Sequence, residues 1–218
     1  ERIKKTRELN PSAYYLATTD WNQGAPFYHG RVDYIPEQWY IRQSDGSRFP
    51  LVGGAMGMVD ITNNAPSYTG PVGPYNDMVI NEKYNVAFPR VLIDTQVDWN
   101  AFDGIGSDGS WQMPFAYPNV DLNRNGINDW AEGGEALVAG TWQAGYDTAL
   151  NNIRSRYQQK FGGQKLITYH TMGDTQTFDN IQFSRMGADM INGVGSEDVF
   201  YVNGPWRFSD YMTQLTNF

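Results

Sequence analysis

The chain has 218 residues and a formal net charge of −8, from 24 acidic against 16 basic side chains. That length buries one full core and reads as a single domain, and the acidic balance leaves no basic stripe to displace counterions, which argues against a nucleic-acid backbone as partner. Cysteine is absent, so there is no disulfide framework, and no apolar run of about 18 residues is present to span a membrane. Aromatic residues are 15% of the chain, with 7 Trp and 14 Tyr, a content that suits either sugar stacking or a large buried core. The chain opens on Glu1, which implies a processed, truncated or partly observed N-terminus. No signal peptide is visible in it.

Residues 1–10 are charged and read as the end of a helix, stopped by Asn10-Pro11. Residues 13–18 form a compact apolar strand. Residues 39–42 are a second strand, followed by the turn Ser44-Asp45-Gly46, and residues 56–61 a third. A Pro- and Gly-rich loop covers 64–75. Residues 75–98 carry Met78, Val79, Val86, Val91, Leu92 and Val97 at helical spacing, with Pro89 opening a second helix or kinking the first. A strand at 102–108 follows. The longest helix is expected over 135–161, with Leu137, Trp142, Tyr146, Leu150, Ile153 and Tyr157 on one face and Gly162-Gly163 at its end. Strands at 165–169 and 189–197 flank a helix at 177–187, and Pro205-Trp206 opens a last helical stretch. Strands alternating with helices predict an α/β fold with a parallel sheet and crossovers.

Two segments are near copies. Phe102-Asp103-Gly104-Ile105-Gly106-Ser107-Asp108 and Ile191-Asn192-Gly193-Val194-Gly195-Ser196-Glu197 are both short apolar runs with small residues that end in a carboxylate. A buried parallel strand delivers an acid to the carboxyl end of a sheet in this way. Two such acids are the minimum equipment for glycoside hydrolysis. Asp108 is the candidate nucleophile or electrostatic stabiliser and Glu197 the candidate general acid/base. The strand at 165–169 should lie between them. Small neighbours at Gly106, Ser107, Gly195 and Ser196 favour a close, retaining separation.

Asp121-Leu122-Asn123-Arg124-Asn125-Gly126-Ile127-Asn128-Asp129-Trp130-Ala131-Glu132 fits D-x-[DN]-x-[DN]-G-x₅-E at every fixed position. Ca²⁺ takes hard oxygen ligands with one bidentate carboxylate. Asp121, Asn123, Asn125, the Ile127 carbonyl, Asp129 and Glu132 are the expected ligands of a structural ion. The plain alternative is an Asn-Gly turn leading into a helix N-terminus.

His170 follows the strand at 165–169 and is a candidate sugar contact, although a histidine there can equally satisfy a neighbouring carbonyl. Trp111 and Trp21 are candidate stacking platforms. There is no H-E-x-x-H, no G-x-S-x-G and no phosphate-binding glycine loop.

The order of these pieces resembles TIM-barrel glycoside hydrolases, in particular the hypothetical glycosyl hydrolase family fifteen. The resemblance is carried by Gln38 to Gly46, Asp60-Ile61-Thr62-Asn63, the 102–108 strand, the 121–132 loop, the Trp142 to Arg156 helix and the 189–197 strand. Tyr169-His170 departs from the pattern, where relatives carry an Asn. The resemblance implies a (β/α)₈ TIM barrel with Asp108 and Glu197 at its catalytic rim. A whole barrel takes about 250 residues, so the expectation is one incomplete barrel domain over 1–218, holding about strands 2 to 6, with the calcium loop as an insertion. The expected function is a secreted, carbohydrate-active glycosidase acting on a polysaccharide or oligosaccharide. The alternative is a non-catalytic structural or carbohydrate-binding protein of an extracellular layer or filament, on a degenerate barrel, with oligomeric or filamentous assembly.

Overall fold

The structure is a computed structural model and describes residues 2–21, 35–50, 57–72, 75–108, 114, 119–171 and 192–196. Helix α1 (Arg2–Leu9) ends at Asn10-Pro11 as the sequence predicts. Strand β1 (Leu16–Asp20) begins later than expected and runs to an aspartate. Arg7 ties α1 down, with its guanidinium 2.9 Å from the Asp103 carboxylate, which also accepts the Tyr15 N–H at 2.8 Å.

The expected strands at 39–42 and 56–61 form only isolated antiparallel bridges: Tyr40 with Val59, Arg42 with Arg48 and Pro50 with Gly57. They follow a 3₁₀ turn at Glu37–Trp39. Here Arg48 and Arg42 hold the Glu37 carboxyl below its usual range, chiefly through the Arg48 hydrogen bond and against a smaller opposing effect of burial.

Residues 75–82 are not helical. Strand β2 (Tyr68–Val72) pairs antiparallel with β3 (Tyr75–Glu82). Alternation decides this segment: Ile80 is buried while Val79 is 65% exposed, so the adjacent apolar residues serve opposite faces of a strand. Helix α2 (Tyr84–Val91) starts only afterwards, with Pro89 inside it. Proline removes one backbone donor, and the chain then widens into a π turn at Leu92–Gln96, closed by the Val97 N–H on the Leu92 carbonyl at 3.2 Å.

Strand β4 (Gly104–Asp108) leads to helix α3 (Asp129–Phe161), which is broken at Gly134 (φ 61°, ψ −157°) and capped by Gly162 in the left-handed conformation. Strands β5 (Leu166–Thr171) and β6 (Gly193–Ser196) complete a four-stranded, all-parallel sheet in the order β1-β4-β5-β6. The segment expected as a helix at 177–187 and the stretch after Pro205 lie outside the described residues.

The parallel sheet confirms the α/β reading and overturns the barrel. Among the described residues there is no eight-stranded closure. β1 and β4 are direct neighbours, with Leu16 opposite Gly104. Between them the chain forms antiparallel bridges, a separate hairpin and α2, where a barrel needs further parallel strands. The fold is therefore a mixed α/β domain, neither a whole TIM barrel nor strands 2 to 6 of one.

The core lies between α2, α3 and the irregular segments 35–50 and 57–65. Trp21, Trp39, Tyr84, Phe88, Trp142 and Tyr146 are all buried to within 1%. α3 approaches this segment closely at Gly145, where a Cβ would sit 2.3 Å from the Ile61 carbonyl oxygen. Among the described residues, no helix is long and apolar enough to cross a membrane.

Candidate carboxylate edge and metal-binding loop

In a parallel sheet all strands finish at one edge, and in open α/β folds ligands bind outside that carboxyl edge. Asp108 is the last residue of β4, and Asp20, the last of β1, is its register partner. Ser107 pairs with Tyr169, so one residue on Asp108 is level with His170. His170 in turn pairs with Gly195. One transverse row thus runs Asp20, Asp108, His170, Gly195. Two residues of the row beneath it are buried: Thr19 is 6% and Ser107 2% exposed. As expected, β5 lies between the strands that lead to Asp108 and Glu197. Glu197 itself, two residues beyond Gly195, lies outside the described residues, and so does Trp111.

Trp21 is placed differently from its expected role. Its ring is fully buried, stacked on Tyr146 at 5.4 Å between centroids and tilted against Phe88 at 5.0 Å. Trp21 is fully buried in the core, so its ring is not open to a sugar.

Sequence reasoning missed Asp20. The signal was there, because Leu16-Ala17-Thr18-Thr19-Asp20 is another short strand ending in an acid. The apolar run stopped two residues early, and Thr18-Thr19 hid the strand's continuation.

The 121–132 segment forms a compact turn that opens α3. Gly126 (φ 81°) and Arg124 (φ 61°) both take left-handed conformations. The Asp121 carboxylate accepts the Asn125 N–H at 3.0 Å and the Gly126 N–H at 2.9 Å. The Asn123 side-chain oxygen shares the Asn125 N–H at 3.0 Å, and the Asn125 oxygen takes the Ile127 N–H at 2.8 Å. Asn128 caps the helix, accepting the Trp130 N–H at 3.0 Å. Asp129 and Glu132 fall in the first turn, where the helix dipole favours acids.

Two of the three acids share one donor, while Asp121 is taken up by the backbone of the turn. The Asn123 amide nitrogen bridges Asp129 and Glu132, at 2.8 Å to each, and the Asn125 amide nitrogen reaches the other Glu132 oxygen at 2.8 Å. Burial, then contact with Glu132 and the charges of Asp121 and Glu132, pushes the Asp129 carboxyl up to about 6, against the opposing Leu122 N–H at 2.6 Å. Glu132 is held below its usual range, first by Asn123 and then by Asn125. Among the described residues, no group of three or more acid, histidine or cysteine side chains is arranged to hold a metal, and no Lys or Arg is ion-paired to Asp121, Asp129 or Glu132. Ile127 is 51% exposed.

The chain matches no model of a known protein family and no curated protein. Neither comparison identifies a glycoside hydrolase.

Proposed function

We propose that this is a calcium-braced, carbohydrate-active domain that hydrolyses glycosidic bonds at the carboxyl edge of its parallel sheet, with Asp108 and Glu197 as the working carboxylates. The observation that carries this reading is the position of Asp108. It ends a parallel strand in one row with a second acid and a histidine, at the edge where such sheets take ligands. Strands lie about 4.8 Å apart, so β4 and β6, with β5 between them, are about 10 Å apart at this edge. The retaining separation of about 5–5.5 Å is well short of that spacing, and Glu197 follows two residues beyond the row, so this reading takes the wider, inverting separation of about 6.5–9.5 Å and needs the chain after β6 to turn back toward Asp108, contrary to the expectation from small neighbours alone. In this reading Glu197 protonates the leaving oxygen, Asp108 activates water, and His170 contacts a sugar hydroxyl.

The loop's donor chemistry fits a hard divalent cation. Its donors are all oxygens, from three acids, two amides and the Ile127 carbonyl. Half a turn of the Asn123 or Asn125 amide exchanges nitrogen for oxygen toward Glu132. The Asn125 N–H then still has Asp121 as acceptor. Asp121, Asn123, Asn125, Ile127, Asp129 and Glu132 would hold the ion, which supplies charge neutralisation and rigidity at the entry to α3.

The test is release of reducing ends from a polysaccharide panel by the wild-type chain, Asp108→Asn and Glu197→Gln. Hydrolysis lost in both variants supports the reading. Full activity in either variant rejects the pairing. Sugar binding without hydrolysis by the wild type moves the assignment to the non-catalytic, structural or carbohydrate-binding protein.

A further inference from the structure

Arg124 stands at the fourth position of the loop, among its acids, yet it pairs with none of them. Its Nη2 donates to the Gln38 carbonyl at 2.9 Å, the Tyr40 carbonyl at 3.0 Å and the Asp60 carboxylate at 3.1 Å. Asp60 is fully buried. Its other oxygen accepts the Thr62 hydroxyl at 2.6 Å and the Thr62 N–H at 3.0 Å. Burial raises the Asp60 carboxyl, and Thr62 and Arg124 oppose that rise. Removing the partner of a buried charge strands it without water, so Asp60 depends on Arg124, whose own side chain is 22% exposed.

The backbone at Arg124 is left-handed, at φ 61°. A non-glycine residue there costs on the order of 1–3 kcal/mol unless its surroundings hold it. The same loop grips the same arm a second time, through the Asp121 N–H on the Arg42 carbonyl at 2.8 Å. That arm is itself a small ladder, with the Ile41 N–H on the Met58 carbonyl at 2.9 Å and the Asp60 N–H on the Trp39 carbonyl at 2.7 Å.

We infer that Arg124 is a positioning residue that couples cation binding in the 121–132 loop to the order of the arm formed by residues 38–50 and 57–62. The inference rests on the calcium reading above. A cation drawing in Asp121, Asn123 and Asn125 fixes the turn on both sides of residue 124 and aims the guanidinium at Asp60. Because Arg124 points away, the charge of the loop's three acids is left for the cation. Coupling of this kind is reciprocal: what calcium does for the arm, the arm does for calcium.

The experiment is calorimetric titration of CaCl₂ into the full chain as wild type, Arg124→Met, Asp60→Asn and the double variant. It is paired with hydrogen exchange at the Ile41 and Asp60 amides, with and without calcium. Each single variant is expected to weaken calcium binding about tenfold, within the usual range of coupling between sites. The double variant should be no weaker than the worse single one, as for two residues acting through one contact. Calcium should slow exchange at both amides in the wild type and leave it unchanged in Arg124→Met. If Asp60→Asn does not fold, Arg124→Met with the exchange readout decides alone. Wild-type affinity in the variants, or calcium-dependent protection retained in Arg124→Met, overturns the coupling and leaves the calcium site standing. No calcium binding by the wild type overturns both.

Discussion

Asp20 and Asp108 are register partners across β1 and β4, two acids side by side at the carboxyl edge of the sheet. Like charges directly opposite on neighbouring strands repel. On the Cα register alone, Asp20→Asn, which removes one of two neighbouring charges, is expected to stabilise the domain at neutral pH by about 0.2–1 kcal/mol, the usual scale of a cross-strand pair. Urea unfolding of the variant against wild type measures this. A loss of stability would show that the pair is held by something other than mutual tolerance.

The calcium loop has its own expected outcome. At a free calcium concentration about 100 times the dissociation constant, an ion bound only to the folded chain adds about 2.7 kcal/mol. Chelation with EDTA should lower the melting temperature of the wild type. Glu132→Gln should melt at the chelated value in either condition, because it lacks the bidentate clamp. Differential scanning calorimetry with and without calcium checks both, and an EDTA-insensitive wild type contradicts the proposal.

Gly145 predicts a packing effect away from any ligand. A Cβ at this position would lie 2.3 Å from the Ile61 carbonyl oxygen and 2.6 Å from the Thr62 Cα, both of them backbone atoms. Gly145→Ala must push α3 off the 61–62 segment. The expected cost is about 1–3 kcal/mol, the range for overpacking, in place of the gain that alanine normally brings to a helix. Chemical denaturation distinguishes the two signs.

Acid sensitivity should appear at Arg7 and Asp103. Burial raises the Asp103 carboxyl, but the Arg7 hydrogen bond and the Tyr15 N–H together outweigh it, so the group titrates below its usual range. A carboxyl depressed in the folded state adds stability above its unfolded value, near 3.9. That stability is lost as the pH falls through the lower folded value. Arg7→Met should cost about 0.2–1 kcal/mol at pH 7, since the pair is partly exposed and screened, and should flatten the stability profile below pH 4. Unfolding curves between pH 2 and 7 test both statements.

The parallel strands β4, β5 and, within its described residues, β6 were legible because short apolar runs bounded by glycine and polar residues are what a buried parallel sheet requires. The long amphipathic helix was legible for the same local reason, through Trp142, Tyr146, Ile153 and Tyr157. The 75–82 strand was misread because Met78 and Val79, taken with Val86, mimic helical spacing. Its pairing with Tyr68–Val72 overrode that pattern. The barrel failed for a similar reason: segments 39–42 and 56–61 have strand composition, but whether a segment joins a parallel sheet depends on the neighbour its backbone finds.

The sequence by itself determined the turn at 121–132, the glycine end of α3 and the acid at the end of β4, because each depends on residues within a few positions of one another; the start of α3 at Asp129, ahead of the expected 135, was not read from it. Tertiary structure alone decided that Asp20 stands beside Asp108, that Trp21 belongs to the core and that Arg124 turns from its own loop to Asp60. Those partners lie far apart along the chain, and a side chain's choice among distant acids or rings depends on which of them packing brings within reach.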